Sequence, residues 1–153
     1  MRLFSLLTLV FFLFLGNSCS KDKIVNSRYY QYTLNPSYTG SHPNNGLGLN
    51  VYMLDNSSST LQFQVEAKSL ISGKNYNLYI YEYDPSQAYG YSAEPIISLG
   101  AVNTSYGLVT ESGVKSFTEF TSNFKGYLVM PDPDNVQRDT TSLLIFGKIG
   151  SDW

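Results

Sequence analysis

From Thr60 to Lys68 the chain alternates without a fault. Leu61, Phe63, Val65 and Ala67 fall in one phase, Gln62, Gln64, Glu66 and Lys68 in the other. Strand side chains point to opposite faces with a period of two, so this segment lays one face on a core and wets the other. After the link Ser69-Leu70-Ile71-Ser72-Gly73-Lys74, a second alternating run returns from Tyr76 to Tyr83, with Leu78 and Ile80 inward. The two read as neighbouring strands of an antiparallel sheet. A body built around such a pair has to be a β-structure.

The remaining chain agrees with that frame. Arg28–Leu34 reads as a strand with Tyr30, Tyr32 and Leu34 on one face, and Gly48–Leu54 as another with Leu49, Val51 and Met53 inward. Between them, residues 35–46 hold two prolines, two glycines and three asparagines, a loop composition. Pro95–Leu99, Ser116–Phe120, Tyr127–Met130 and Ser142–Ile149 read as further strands, and residues 100–113 fit no single pattern. No segment shows a helical period. Seven or eight short strands separated by turn signals predict an all-β, single antiparallel Greek-key β-sandwich over residues 28–153. Apolar residues make up 42% of the 153-residue chain and charged residues 14%, enough to bury a core without disulfides.

The beginning of the chain has a different character. Met1-Arg2 precedes an uncharged apolar run from Leu3 to Leu15. Thirteen residues in helix reach about 20 Å, short of a hydrocarbon core of roughly 30 Å, so the run reads as the core of a secretory signal. It ends in Gly16-Asn17-Ser18-Cys19, followed by the polar Ser20-Lys21-Asp22-Lys23. This boundary resembles the signal of bacterial lipoproteins, in which a small residue precedes the Cys that is lipidated and becomes the new first residue. Ser18 and Cys19 match; Leu15 stands one position further from the Cys than that pattern places it.

The resemblance implies a signal peptide over residues 1–18, lipidation of Cys19, and a polar tether over 19–27. It also implies a membrane partner through the anchor and a location in the cell envelope, at the outer membrane, facing the periplasm or the surface. The Ser-Lys-Asp-Lys start looks like the charged tags of lipoproteins sent to the outer face of that membrane. Cys19 is the only cysteine. The alternative is an ordinary cleaved signal that leaves a free thiol, a liability in an oxidising compartment.

Tyr79-Ile80-Tyr81-Glu82, following Leu70 and Gly73, is similar to the His-x-His-Glu strand of copper/zinc superoxide dismutases and to the His-x-His strand of their chordin-type relatives. Glu94–Gly100 looks like the Gly-Pro-Val strand of the chordin pattern. Leu70, Gly73 and Tyr76-x-Leu78-x-Ile80 equally resemble the tyrosine-corner strand of fibronectin type III domains. Each resemblance implies an immunoglobulin-like sandwich. The metal does not carry over: the histidine positions fall on Tyr79 and Tyr81, neutral tyrosine is a poor copper or zinc ligand, and the one histidine, His42, lies in an unrelated loop. No cofactor is expected.

Thirteen tyrosines are the unusual feature of the composition. With Leu78 and Ile80 inward, Tyr79, Tyr81 and Tyr83 share the outer face of one strand, and Tyr89 and Tyr91 hang on the adjoining connection. Aromatic stripes of this kind form carbohydrate- and protein-contact surfaces, a large apolar ring carrying a hydroxyl that orients the ligand. The competing arrangement has the 84–94 connection folded back over the stripe as a second small core. Asp132, Asp134 and Asp139 suggest a turn, or a loose calcium site, but not an EF-hand: Gln137 and Leu143 replace its obligatory Gly and Glu. No nucleophile–base set exists, and the acidic pairs Glu82/Asp84 and Glu66/Glu94 read as solvated surface, so no enzyme is expected. Net charge is −2, or −3 without Arg2, and no basic cluster offers a nucleic-acid footprint. A non-catalytic binding module for a glycan or protein is the leading expectation, and a structural accessory subunit of an outer-membrane assembly the alternative.

Overall fold

The computed structural model describes residues 24–43, 46–56, 60–102, 108–112, 115–135, 137 and 139–153. The apolar leader, Cys19 and the first residues of the tether lie outside the described residues. Among the described residues no helix is long and apolar enough to cross a membrane.

The chain forms β1 (Ile24–Thr33), β2 (Gly48–Asn56), β3 (Thr60–Lys68), β4 (Tyr76–Glu82), β5 (Ile97–Val102) and β6 (Leu108–Ser112). A short helix α1 (Phe117–Ser122) follows, then β7 (Lys125–Pro131), a single 3₁₀ turn (Thr140–Ser142) and β8 (Leu143–Gly150). The strands make two four-stranded antiparallel sheets, ordered β1-β2-β3-β6 and β5-β4-β7-β8. The fold is all-β. β1 begins at Ile24, four residues before the predicted strand, because Ile24 still finds a partner in Asn56 at the far end of β2.

Two expectations are corrected. β3 and β4 are not neighbours: β3 pairs with β2 and β6, β4 with β5 and β7. The seven residues between them exceed the two to five of a hairpin. Ser69 (φ 59°) and Gly73 (φ 81°) bend the chain out of the first sheet, and the Ile71 N–H donates to the Tyr76 hydroxyl at 3.1 Å, clamping the corner. Ser116–Phe120 is not a strand. The Ser116 hydroxyl accepts from the Glu119 N–H at 3.2 Å and caps α1, and Ser-x-x-Glu is the sequence form of a capping box. The helix turns Phe120 fully inward, edge-on to Phe63 with ring centroids 5.8 Å apart.

The alternation places the core as predicted. Leu49, Val51 and Met53 from β2, the odd-numbered residues of β3 from Leu61 to Ala67, and Tyr76, Leu78 and Ile80 from β4 are buried. They join Leu99, Leu128, Met130 and Ile145 in one cluster fed by both sheets. Full burial of such a side chain is worth about 1.5–3 kcal/mol.

The sheets also meet edge to edge where β1 faces β8. The Tyr30 hydroxyl donates to the Gly150 carbonyl and the Tyr32 hydroxyl to the Lys148 carbonyl, both at 2.9 Å. Further along, the Asn35 N–H donates to the Leu144 carbonyl at 2.8 Å, and its side-chain amide to the carbonyls of Thr140 and Leu143. Side chains thus satisfy backbone groups that a strand ladder would otherwise take.

Candidate functional site

β4 presents Asn77, Tyr79 and Tyr81 on the face away from the core, and its register extends that face across the sheet. Tyr79 stands opposite Val129 and that residue opposite Phe146; Tyr81 stands opposite Tyr127 and that residue opposite Lys148. The outer face is therefore aromatic across three strands. Val129, Leu143 and Tyr91 are buried although they stand outside the main core cluster. The second sheet has apolar packing on both sides.

The connection after β4 completes this layer. Tyr83 and Tyr91 form an isolated antiparallel bridge, with the Asp84 N–H donating to the Gly90 carbonyl at 3.0 Å and the Ser92 N–H to the Glu82 carbonyl at 2.9 Å. Two turns fill the space between, closed by the Gln87 N–H to the Asp84 carbonyl and the Gly90 N–H to the Gln87 carbonyl. Gly90 takes φ 76°, a left-handed conformation that suits glycine. The Asp84 carboxylate accepts from the Ser86 hydroxyl and N–H, and these bonds hold its pKa below the ordinary carboxylate value.

Opposed residues of an antiparallel bridge share a face, so Tyr91 is delivered onto the aromatic layer. Its ring lies 4.8 Å from Tyr81, 6.0 Å from Phe146 and 6.2 Å from Tyr89, measured between centroids. Tyr127 stacks on Phe146 at 4.6 Å with planes 14° apart. Burial here pushes the Tyr127 phenol above its ordinary pKa, with Tyr83 adding to the effect. At the far side Trp153 packs 4.6 Å from Tyr83, with the Lys148 ammonium 4.7 Å from its ring.

The five tyrosines singled out in the sequence are thus brought together, with unequal roles. Tyr83 (38%) and Tyr89 (45%) are exposed, while Tyr79 and Tyr81 are half-buried. Tyr91, expected on the contact surface, is only 3% exposed and forms the floor of the layer. The connection folds back in part: it covers the middle of the stripe and leaves its rim open. Two small clefts flank the row. One of about 50 Å³ is lined by Asn75, Asn77, Tyr79 and residues 131–133, the other of about 140 Å³ by Gln87, Ala88, Tyr89, Tyr91 and Ala93.

Tyr127, Phe146 and Trp153 were not singled out in the sequence. The first two had a signal: Leu128-Val129-Met130 and Leu143–Phe146 are apolar in both phases, the mark of strands covered on both faces. Trp153 had none.

The other candidate residues are engaged separately. Asp132 is buried and accepts from the Tyr38 hydroxyl and, at 2.9 Å, from the Asp134 N–H. Asp134 pairs with Lys74, and Asp139 caps the 3₁₀ turn by accepting from the N–H groups of Thr141 and Ser142. Among the described residues no three His, Cys, Asp or Glu side chains converge as a ligand set. His42 is buried, with Nε2 3.2 Å from the Tyr76 hydroxyl and Nδ1 3.1 Å from the Pro43 carbonyl. The Pro43 carbonyl can only accept, so Nδ1 is the donor of that bond. Glu66 belongs to β3 of the first sheet and Glu94 to the connection into β5 of the second. A third cleft, of about 160 Å³ beside Arg28 and Trp153, lies at the β1/β8 seam, where Arg28 is held by Asp152 and the Thr121 carbonyl.

Comparison with protein-family models, with curated proteins and with solved structures finds no match for this chain.

Proposed function

We propose that this chain is a non-catalytic binding module of the bacterial cell envelope. In this reading acylated Cys19 holds it in the outer membrane, and the body binds through the outer face of its second sheet. The observation that carries the reading is the aromatic layer on that face, two of whose rings, Tyr83 and Tyr89, remain exposed. A layer built only for stability has no need of exposed rims, whereas contact residues are commonly large amphipathic rings on a packed base.

The body we propose is a Greek-key sandwich of the immunoglobulin-like kind. In support, β7 returns to lie beside β4, while β5 comes close to β6 at the edge opposite the β1/β8 seam. The bond from Ile71 to the Tyr76 hydroxyl matches the tyrosine-corner resemblance. Tyr79 and Tyr81, at the dismutase histidine positions, lie in an aromatic layer rather than around a polar centre. The accessory-subunit reading, which relies on strand pairing, has less support: at β8, backbone carbonyls facing β1 are already taken by Tyr30 and Tyr32.

Two measurements test the proposal. Mass spectrometry of the mature protein should give an acylated Cys19 as its first residue; an unmodified first residue removes the anchor. A photo-crosslinking residue at position 89 should capture a ligand from whole cells, and the same residue at exposed Gln31 on the first sheet should not. Equal capture at both positions removes the contact surface.

A further inference from the structure

We infer that the ligand of this face is a neutral, extended glycan chain lying along β4 from Asn77 to Tyr89, an inference that rests on reading the face as the contact surface. Neither flanking cleft, at about 50 and 140 Å³, encloses a small molecule, since such pockets run to about 300–1,000 Å³. Both open at the ends of one aromatic row. From Asn77 to Tyr83 the strand and its continuation rise about 20 Å, at 3.3–3.4 Å per residue. A chain long enough to cross the row reaches both clefts; a compact ligand fills neither.

The chemistry of the lining selects the class. Tyr79 and Tyr89 offer ring faces on which the apolar face of a sugar ring can lie. Asn77 at one end and Gln87 at the other carry amides, each both donor and acceptor, as sugar hydroxyls are. Asp132 is the only Asp, Glu, His, Lys or Arg in either lining, and its buried carboxylate is already bonded to Tyr38 and Asp134. No Lys or Arg lines either cleft, so a polyanion meets no counter-charge there. The cations of this face, Lys125 and Lys148, stand by Trp153 at its other margin. The backbone that carries Tyr89 is held by the paired turns closed at Gln87 and Gly90, so binding has only its side chain left to order.

The test uses the full-length protein in detergent on an array of neutral and acidic oligosaccharides, followed by calorimetric titration of the hits. The expected result is saturable binding of a neutral oligosaccharide, little changed between low and high salt. Tyr89→Ala and Asn77→Ala should each weaken it about fivefold or more without moving the thermal midpoint, and Tyr89→Phe should retain most of the affinity. Salt-sensitive binding of acidic sugars alone overturns the inference. So does the absence of any neutral hit while the position-89 crosslinker captures a protein, an outcome that leaves the contact surface standing. Absence of both a glycan and a crosslinked partner overturns the inference and the contact surface together.

Discussion

The Tyr32 hydroxyl donates to the Lys148 carbonyl at 2.9 Å, joining β1 of one sheet to β8 of the other. The Tyr32 ring lies so close to Gly147 that a Cβ added there would meet it at 2.4 Å. A hydrogen bond and a missing side chain together let two sheet edges approach without a backbone ladder. Tyr32→Phe should keep the ring and lose the bond, costing about 1–2 kcal/mol because a carbonyl is left without its partner. Gly147→Ala should cost about 1–3 kcal/mol by overpacking. Urea denaturation of the three proteins, read for midpoint at unchanged slope, checks both.

The same tyrosine sets an alkaline limit. Burial first, and Tyr30 second, raise the Tyr32 phenol far above the ordinary tyrosine value of 10.0. The folded state therefore keeps a proton that the unfolded chain releases. Stability from this group is complete below pH about 10 and falls as the pH rises beyond it toward the folded pKa. The urea midpoint should decline above pH about 10, and Tyr32→Phe should decline less steeply than the wild type.

At the acid end Asp139 acts with the opposite sign. The Thr141 hydroxyl, followed by the backbone N–H groups of Ser142 and Thr141, stabilises its ionised form and lowers its pKa. Its contribution is present above the ordinary aspartate value and is lost as the pH falls through the lowered one. Asp139→Asn should be less stable than wild type at neutral pH, and the two should converge as the pH drops below about 4.

Within the aromatic layer, burial separates two kinds of tyrosine. Tyr91→Ala removes a ring that is 3% exposed and should cost about 3–5 kcal/mol, as large aromatic truncations do. Tyr89→Ala removes an exposed ring and should stay within about 0.5 kcal/mol of wild type. Thermal melts of the two variants decide the assignment. Equal losses would make the whole layer a core.

Loss of the Ser116 cap should release the only α-helix among the described residues. Ser116→Ala should cost about 0.5–2 kcal/mol. Ser116→Asp, which preserves a capping oxygen, should remain near wild type in the same melts.

Much of the architecture was legible because burial writes itself into local periodicity. The alternations of β2, β3 and β4 told which side chains face the core, and each is buried. The helix was not read from the sequence: Ser116-x-x-Glu119 carries its capping signal, but a turn and a half is too short for a helical period to emerge, and its Phe residues favoured a strand. The candidate surface was half legible. Tyr79, Tyr81 and Tyr83 share a face by strand geometry alone, whereas Tyr127 and Phe146 join them from strands more than 40 residues away.

What the amino-acid order determined by itself is the set of faces: which residues of each strand turn inward, and that tyrosines crowd the outer side of β4. Tertiary structure decided how the faces meet. It sent β4 into a different sheet from β3, because a seven-residue corner clamped by Tyr76 cannot close as a hairpin. It also chose which tyrosines remain open, because the Tyr83–Tyr91 bridge lays Tyr91 on the layer while the paired turns hold Tyr89 at its rim. A period of two specifies only one face or the other; exposure depends on what the rest of the chain places above it.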